Sequence, residues 1–161
     1  MPTTRWGVPS SVMEYRGAFV FPVSPQDLWA SIERFDRFES WWGWLSEFHA
    51  SGDRLQTGAV LSGVVTPPLP YRMRIRTELL ECVPGRWVKA EVAGDLRGDA
   101  SLALSPSADR TDVVVGWRVE MMQRPMRVAA RFAYPLMRWG HDRVVEHTVE
   151  RFRHHLETET A

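Results

Sequence analysis

Several large functional classes are ruled against by what this sequence lacks. Cysteine occurs once, at Cys82, so no internal disulfide can form, and a reducing, cytoplasmic setting is expected. Lys and Arg total 20, as do Asp and Glu, for a formal net charge of zero. That balance gives no footing to a nucleic-acid or acidic-partner reading. No apolar run approaches membrane-spanning length, and the opening MPTTRWGVPSS lacks the apolar core of a secretion signal. Integral membrane association is therefore not expected. A phosphate-binding glycine loop, a nucleophile elbow, a paired-cysteine zinc site and a nucleotide fingerprint are all missing. No cofactor is expected, and nucleophilic or metal-assisted hydrolysis has no support. There is no internal repeat, and 161 residues suit one domain.

What is present is tryptophan and a long amphipathic run. There are eight tryptophans, three of them in Trp41-Trp42-Gly43-Trp44, and such rings belong in cores, pockets or interfaces. In Pro135–Leu156, the residues Met137, His141, Val144, Val145, Thr148, Val149, Phe152 and Leu156 recur every three or four positions. Glu146, Glu150, Arg151 and Arg153 fall on the other side. This spacing predicts a helix roughly 33 Å long with one face built for burial, opened by Pro135 in its first turn.

Upstream, the pattern is mostly strands. Residues 1–10 read as an irregular tail, and 11–157 as a single domain. In Met13–Val23, Tyr15, Phe19 and Phe21 alternate with Glu14 and Arg16, a strand signal interrupted by Gly17. Ser24-Pro25-Gln26-Asp27 starts a helix, with Ser24 as cap, Pro25 at the first helical position and Asp27 completing a capping-box pattern. Leu28, Ile32 and Phe35 form its buried stripe. A second short helix or turn carries Phe38, Trp41 and Trp42. Strands then follow in Gly58–Thr66, Tyr71–Cys82, Arg86–Ala93, Arg97–Ser105 and Thr111–Met122. They are separated by Pro67-Pro68-Leu69-Pro70, Pro84-Gly85, Gly94-Asp95 and a polar loop at Ser105–Asp112. Arg124–Tyr134 predicts a short helix before the long one. A meander of short loops makes the sheet antiparallel, and its apolar face needs a cover that only the final helix is long enough to provide.

The element order and the stretches Phe19–Trp29, Trp41–Trp44, Pro84-Gly85, Gly94–Gly98, Thr111–Val113 and Trp139–Asp142 resemble the START/Bet v 1-like (SRPBCC) superfamily, in its polyketide-cyclase/dehydrase-like branch. The resemblance runs from Tyr15 to Leu156. It implies an α+β helix-grip fold: a curved antiparallel β-sheet wrapped around a long C-terminal α-helix, with two short helices after the first strand. It also implies an apolar cavity between sheet and helix. It does not choose an activity, since the branch holds lipid carriers, cyclases, receptors and chaperone regulators alike.

Candidate ligand-binding residues follow from the inward faces of these elements: Trp41, Trp44, Met73, Ile75, Thr77, Ala90, Val92, Trp117, Val119, Met121, His141 and Val145. Trp42 and Trp139 are further aromatic candidates. A planar or polycyclic guest would find broad contact on such walls, although simple core filling accounts for some of them. His141, on the buried stripe, suits a ligand hydrogen bond or a proton shuttle, or else a core histidine satisfied locally. Asp99 and Tyr134 are its candidate catalytic companions. Asp99 depends on register. A two-residue hairpin at Gly94-Asp95 pairs Ala90 with Asp99 and Val88 with Ser101, turning both polar groups inward. A bulge or longer loop instead buries Ala100, Leu102 and Leu104, and this is the favoured choice. His147, Glu150 and His154 have metal-like spacing but face water without cysteine, so a solvated face is expected. Arg72, Arg74 and Arg76 lie opposite Met73 and Ile75, which predicts ion pairing on a wet sheet face, with Lys89, Glu91, Arg118 and Glu120 sharing that surface.

The leading expectation is a module that binds a small hydrophobic or aromatic molecule, lipid or polyketide-like. The alternatives are an enzyme resembling polyketide aromatase/cyclases, which needs two convergent polar groups in the pocket, and an interaction protein resembling chaperone co-regulators, which would expose an apolar patch.

Overall fold

The computed structural model describes residues 3–6, 12–68, 71–132 and 134–159, with the side chains of 4–6, 129–132, 134 and 159 outside that description. Eight strands form one antiparallel sheet in the order β1-β2-β8-β7-β6-β5-β4-β3. They are β1 (Thr3–Trp6), β2 (Val12–Phe21), β3 (Leu45–Ala50), β4 (Val60–Val65), β5 (Met73–Val83), β6 (Trp87–Gly94), β7 (Leu96–Ser107) and β8 (Arg110–Met121). Helices α1 (Pro25–Ile32) and α2 (Phe38–Trp41) follow β2, and α3 (Arg124–Phe132) and α4 (Tyr134–Glu159) close the chain. This is the helix-grip arrangement, a curved sheet laid around the terminal helix.

Local chemistry explains most of these elements. The Ser24 side chain accepts from the Asp27 N–H at 3.1 Å, and Pro25 starts the helix, so α1 begins where an oxygen cap and a ring-fixed φ coincide. Pro135 sits at the second position of α4, where its missing N–H breaks no intrahelical bond. The helix spans about 39 Å at 1.5 Å per residue. Along it Met137, Phe152 and Leu156 are buried, and His141, Val144, Val145, Thr148 and Val149 are partly so, which is the predicted stripe turned to the sheet.

Three expectations need correction. Residues 1–10 contain a strand rather than only an irregular tail: Thr3–Trp6 pairs with β2, in the register Thr3↔Arg16 to Trp6↔Met13. Ser105–Asp112 is not a loop, because β7 and β8 stay paired out to Ser107↔Arg110 and turn tightly at Ala108-Asp109. Pro106 is tolerated there because β6 stops pairing at Ala103, so no ladder donor is wanted on that side. Phe35 belongs to a separate 3-10 turn, Phe35–Arg37, while the buried side chains of α1 are Leu28 and Trp29.

The β6–β7 register is Ala90↔Ala100 and Val88↔Leu102. The longer connection is thus the real one, and Leu104 is buried while Asp99 and Ser101 are exposed. Asp95 holds this turn: its backbone N–H donates to the Arg74 carbonyl at 2.9 Å, and its carboxylate accepts from the Arg74 N–H at 2.7 Å. On the outer face, the arginine row pairs with neighbours other than those expected. Arg72 and Arg74 meet Glu47, Arg76 meets Glu78, Lys89 meets Glu81 and Arg118 meets Glu14. Glu47 reaches the row because β3 bulges between Ser46 and His49, with Glu47 itself at φ 51°.

The main core joins Phe21, Leu28, Trp29, Phe38, Trp41, Val113, Phe152 and Leu156 at the end where α1 and α2 meet the C-terminal half of α4. Phe152 sets its edge against Phe21 at 5.6 Å and against Trp41 at 5.8 Å between centroids. No helix among the described residues is long and apolar enough to cross a membrane.

Candidate functional site

Between the sheet and α4 the packing opens into two adjoining chambers, the larger reaching as far along the helix as Phe152. The smaller, about 260 Å³, is walled by Met13, Met73, Met121, Met126 and Met137 together with Val65, Pro67, Tyr71, Ile75, Thr77, Val92, Leu96, Ala100 and Val119. The larger, about 440 Å³, is walled by Phe19, Phe21, Leu28, Ile32, Trp42, Trp44, Leu102, Val113, Val115, Val145, Thr148, Val149 and Phe152. Trp117, His141 and Val144 line both, so they form the partition. Strand alternation explains the lining: Val113, Val115, Trp117, Val119 and Met121 are every second residue of β8 and share one face.

Among the described residues, no Asp, Glu, Lys or Arg lines either chamber. Several polar groups in the walls are already paired. Trp44 Nε1 donates to the Thr148 hydroxyl at 2.9 Å, Trp42 Nε1 donates to the Thr148 carbonyl at 3.3 Å, and the Thr148 hydroxyl donates to the Val144 carbonyl at 2.6 Å. Two buried atoms beside the partition are not. Tyr15 Oη and His141 Nε2 are buried without a hydrogen-bond partner among the described residues. Tyr15 stacks on Trp117 at 4.5 Å and meets His141 edge-on at 5.2 Å, and Trp117 meets His141 at 5.5 Å. Across the β2–β8 ladder, Tyr15 and Trp117 are direct partners. Gly17 makes this possible, since a Cβ there would collide with the Tyr15 hydroxyl and with Phe19. The glycine that reads as a break in the strand is the space into which the phenol folds.

The electrostatics of the trio are set mainly by desolvation. Burial lowers the His141 pKa below the ordinary imidazole value, against the opposing pull of Asp142, whose Oδ1 lies 3.1 Å from Nδ1. His141 is therefore neutral at pH 7. Burial, helped by the Asp142 and Glu146 carboxylates, pushes the Tyr15 phenol up to about 12. Burial also raises Tyr71 to about 12. Both phenols keep their protons throughout the physiological range.

Ten of the sequence-derived binding candidates line these chambers: Trp44, Met73, Ile75, Thr77, Val92, Trp117, Val119, Met121, His141 and Val145. Two do not. Trp41 is packed solid into the main core, stacked on His155 at 5.0 Å, and its neighbour Trp42 takes the wall position. Ala90 faces inward but is covered by the same core. Trp139 points to solvent and is 49% exposed. Asp99 is on the outer face of the sheet, opposite Arg118, so it has no access to His141. The side chain of Tyr134 lies outside the described residues. Sequence reasoning missed Tyr15 as a partner of His141, although the alternation of β2 placed it on the inner face beside Phe19 and Phe21.

Comparison with known proteins agrees with this architecture. The chain superposes on a crystal structure of TTHA0849 from Thermus thermophilus with a TM-score of 0.72, at 12% identity over 92% of this chain and 99% of that one. It superposes on the Zhui aromatase/cyclase from Streptomyces sp. R1128 with a TM-score of 0.71, at 10% identity over 93% and 96%. A Staphylococcus aureus protein of unknown function, SA2116, gives 0.66 at 13% identity over 96% and 99%. At such identities the likeness speaks for the fold alone. No curated protein gives a significant sequence match. The family model described as polyketide cyclase / dehydrase and lipid transport matches residues 13–157, from the strand that carries Tyr15 to the end of the helix that carries His141. The chain belongs to that family, within the START/Bet v 1-like superfamily.

Proposed function

We infer that the protein binds a small hydrophobic or aromatic molecule, lipid or polyketide-like, in the space between the sheet and α4. The observation that carries this reading is the pair of chambers of about 260 and 440 Å³, whose described lining is wholly uncharged. Volumes of this order suit small organic guests, and walls of this composition exchange poorly solvated apolar surface for contact. Burial would supply about 25 cal/mol per Å² of apolar guest surface before ordering costs are subtracted. The family description includes both cyclase chemistry and lipid transport, and a binding cavity is common to the two.

The test is native mass spectrometry together with titration of Nile red, an uncharged fluorophore, on the wild type and on Val145→Trp, which fills the larger chamber. Binding that disappears in the filled variant while the fold persists supports the reading. No binding in the wild type, or unchanged binding in the variant, overturns it.

One observation favours a cyclase-like second reading: among the described residues His141 is the only imidazole in the chamber walls, and its Nε2 is free. With Asp99 on the outer face, Tyr15, whose ring meets His141 edge-on at 5.2 Å, is the polar group proposed to act with it. Cyclisation of a poly-β-keto thioester that is lost in His141→Leu but retained in His154→Leu, an exposed imidazole outside both chambers, would support that reading. Unchanged turnover in His141→Leu would remove it.

A further inference from the structure

We propose that the guest is an uncharged, hydroxyl-bearing molecule, such as a phenol or a fatty alcohol, whose hydroxyl accepts from Tyr15 Oη and donates to His141 Nε2. This rests on the binding reading above and narrows it to one chemical class.

The starting point is that the two unpartnered buried side-chain atoms among the described residues both belong to this one cluster of rings. Unpaired buried polar groups are costly and normally rare. His141 stands in the wall shared by both chambers and Tyr15 packs against its ring behind that wall, so the pair marks the point where a guest's polar group fits. Trp42 and Trp44 are not competing anchors, since both indoles already donate to Thr148.

The hydrogen-bonding sense of each atom can be worked out. Tyr15 is 4% exposed and retains its proton, so its hydroxyl is available as a donor. The Asp142 carboxylate stands 3.1 Å from His141 Nδ1, where it accepts the imidazole N–H. In the neutral ring this leaves Nε2 as a bare acceptor. One donor beside one acceptor is the complement of a hydroxyl, which does both. A ketone or ether would satisfy Tyr15 alone. A carboxylate would meet no cation among the described wall residues, with Asp142 already close to the partition, and its burial would be strongly opposed.

Four naphthalenes of near-equal size separate these cases by titration calorimetry: 2-naphthol, 2-methylnaphthalene, 2-methoxynaphthalene and 2-naphthoate. The decisive quantity is the affinity for 2-naphthol relative to 2-methylnaphthalene, which cancels general hydrophobicity when compared between variants. It should fall about 3- to 10-fold in Tyr15→Phe and again in His141→Leu, one hydrogen bond each. The methoxy compound should respond to Tyr15→Phe and not to His141→Leu. Tyr15→Phe keeps the ring and removes an unsatisfied group, so its Tm should equal or exceed that of the wild type. A relative affinity unchanged in both variants, or 2-naphthoate binding as tightly as 2-naphthol, overturns the hydroxyl assignment while leaving the cavity in place. Failure of all four to bind, with Nile red also excluded, overturns the binding reading and this assignment together.

Discussion

The two halves of α4 lie against the same sheet and carry the same apolar spacing, yet they meet it differently. Toward the C-terminus Phe152 and Leu156 are 7% and 3% exposed, among Phe21, Leu28 and Trp41, with aromatic edges in contact and no chamber beside Leu156. Toward the N-terminus Met137 and His141 face methionines and β-branched residues that leave the smaller chamber open, while the larger one lies between and is bordered by Phe152 at its far end. Rigid rings on both sides of the first contact fill their volume, whereas the unbranched thioethers of the smaller chamber line a space without fixing its shape. The lesson is that one helix can serve as core at one end and as cavity wall at the other. Only the partner side chains decide which.

That contrast can be broken by mutation. Phe152→Ala should be the most damaging change, at about 3–5 kcal/mol, because it removes the ring that separates the larger chamber from the main core and breaks its contacts with Phe21 and Trp41; urea denaturation measures it. Met137→Ala, beside a space already open, should lose about 2 kcal/mol, the low end for such truncations. Equal losses at the two sites would erase the distinction between the halves. Trp44→Phe removes the indole donor to Thr148 and should cost about 1 kcal/mol, with a larger chamber of altered shape visible as changed Nile red emission.

A smaller, pH-dependent effect belongs to His141 in the N-terminal half. The folded-state pKa of His141 lies below its unfolded value because of burial. The unfolded chain therefore binds the extra proton first as pH falls. Stability should be full above about 6.5 and decline as pH drops through the lower folded value. His141→Leu, measured against its own stability at higher pH, should lack this part of the decline. The smallest change is Arg74→Ala on the outer face, whose exposed pairing with Glu47 is worth less than about 0.5 kcal/mol.

Much of the architecture was legible because periodicity and capping are local. The stripe from Met137 to Leu156, the Ser24 cap and the alternation of β8 all follow from spacing within single elements. Legibility ended where one element's neighbours decide the outcome. α2 has only four residues, too few for a periodic signal, so the sequence placed Trp41 at the wall and the structure places Trp42 there. Asp99 depended on the length of one turn, and a one-residue difference moves a side chain through the sheet. Tyr15 was assigned to the correct face, yet its meeting with His141, far along the chain, is produced only when β2 pairs with β8 and the sheet closes over α4. The strand at Thr3–Trp6 has no alternation strong enough to announce itself. Its position is set by pairing with β2.

Thr148 has a consequence beyond the wall it helps to build. A helix resting in an apolar trough is free to roll about its own axis, since dispersion forces have little directional preference. Two indoles from the segment after α1 bond to this one residue, one to its main chain and one to its side chain, and those bonds are satisfied at a single angle of roll. The angular setting of the rod, and with it the presentation of His141 about two turns earlier, is thus keyed from a distance by a threonine that never needs to touch the imidazole.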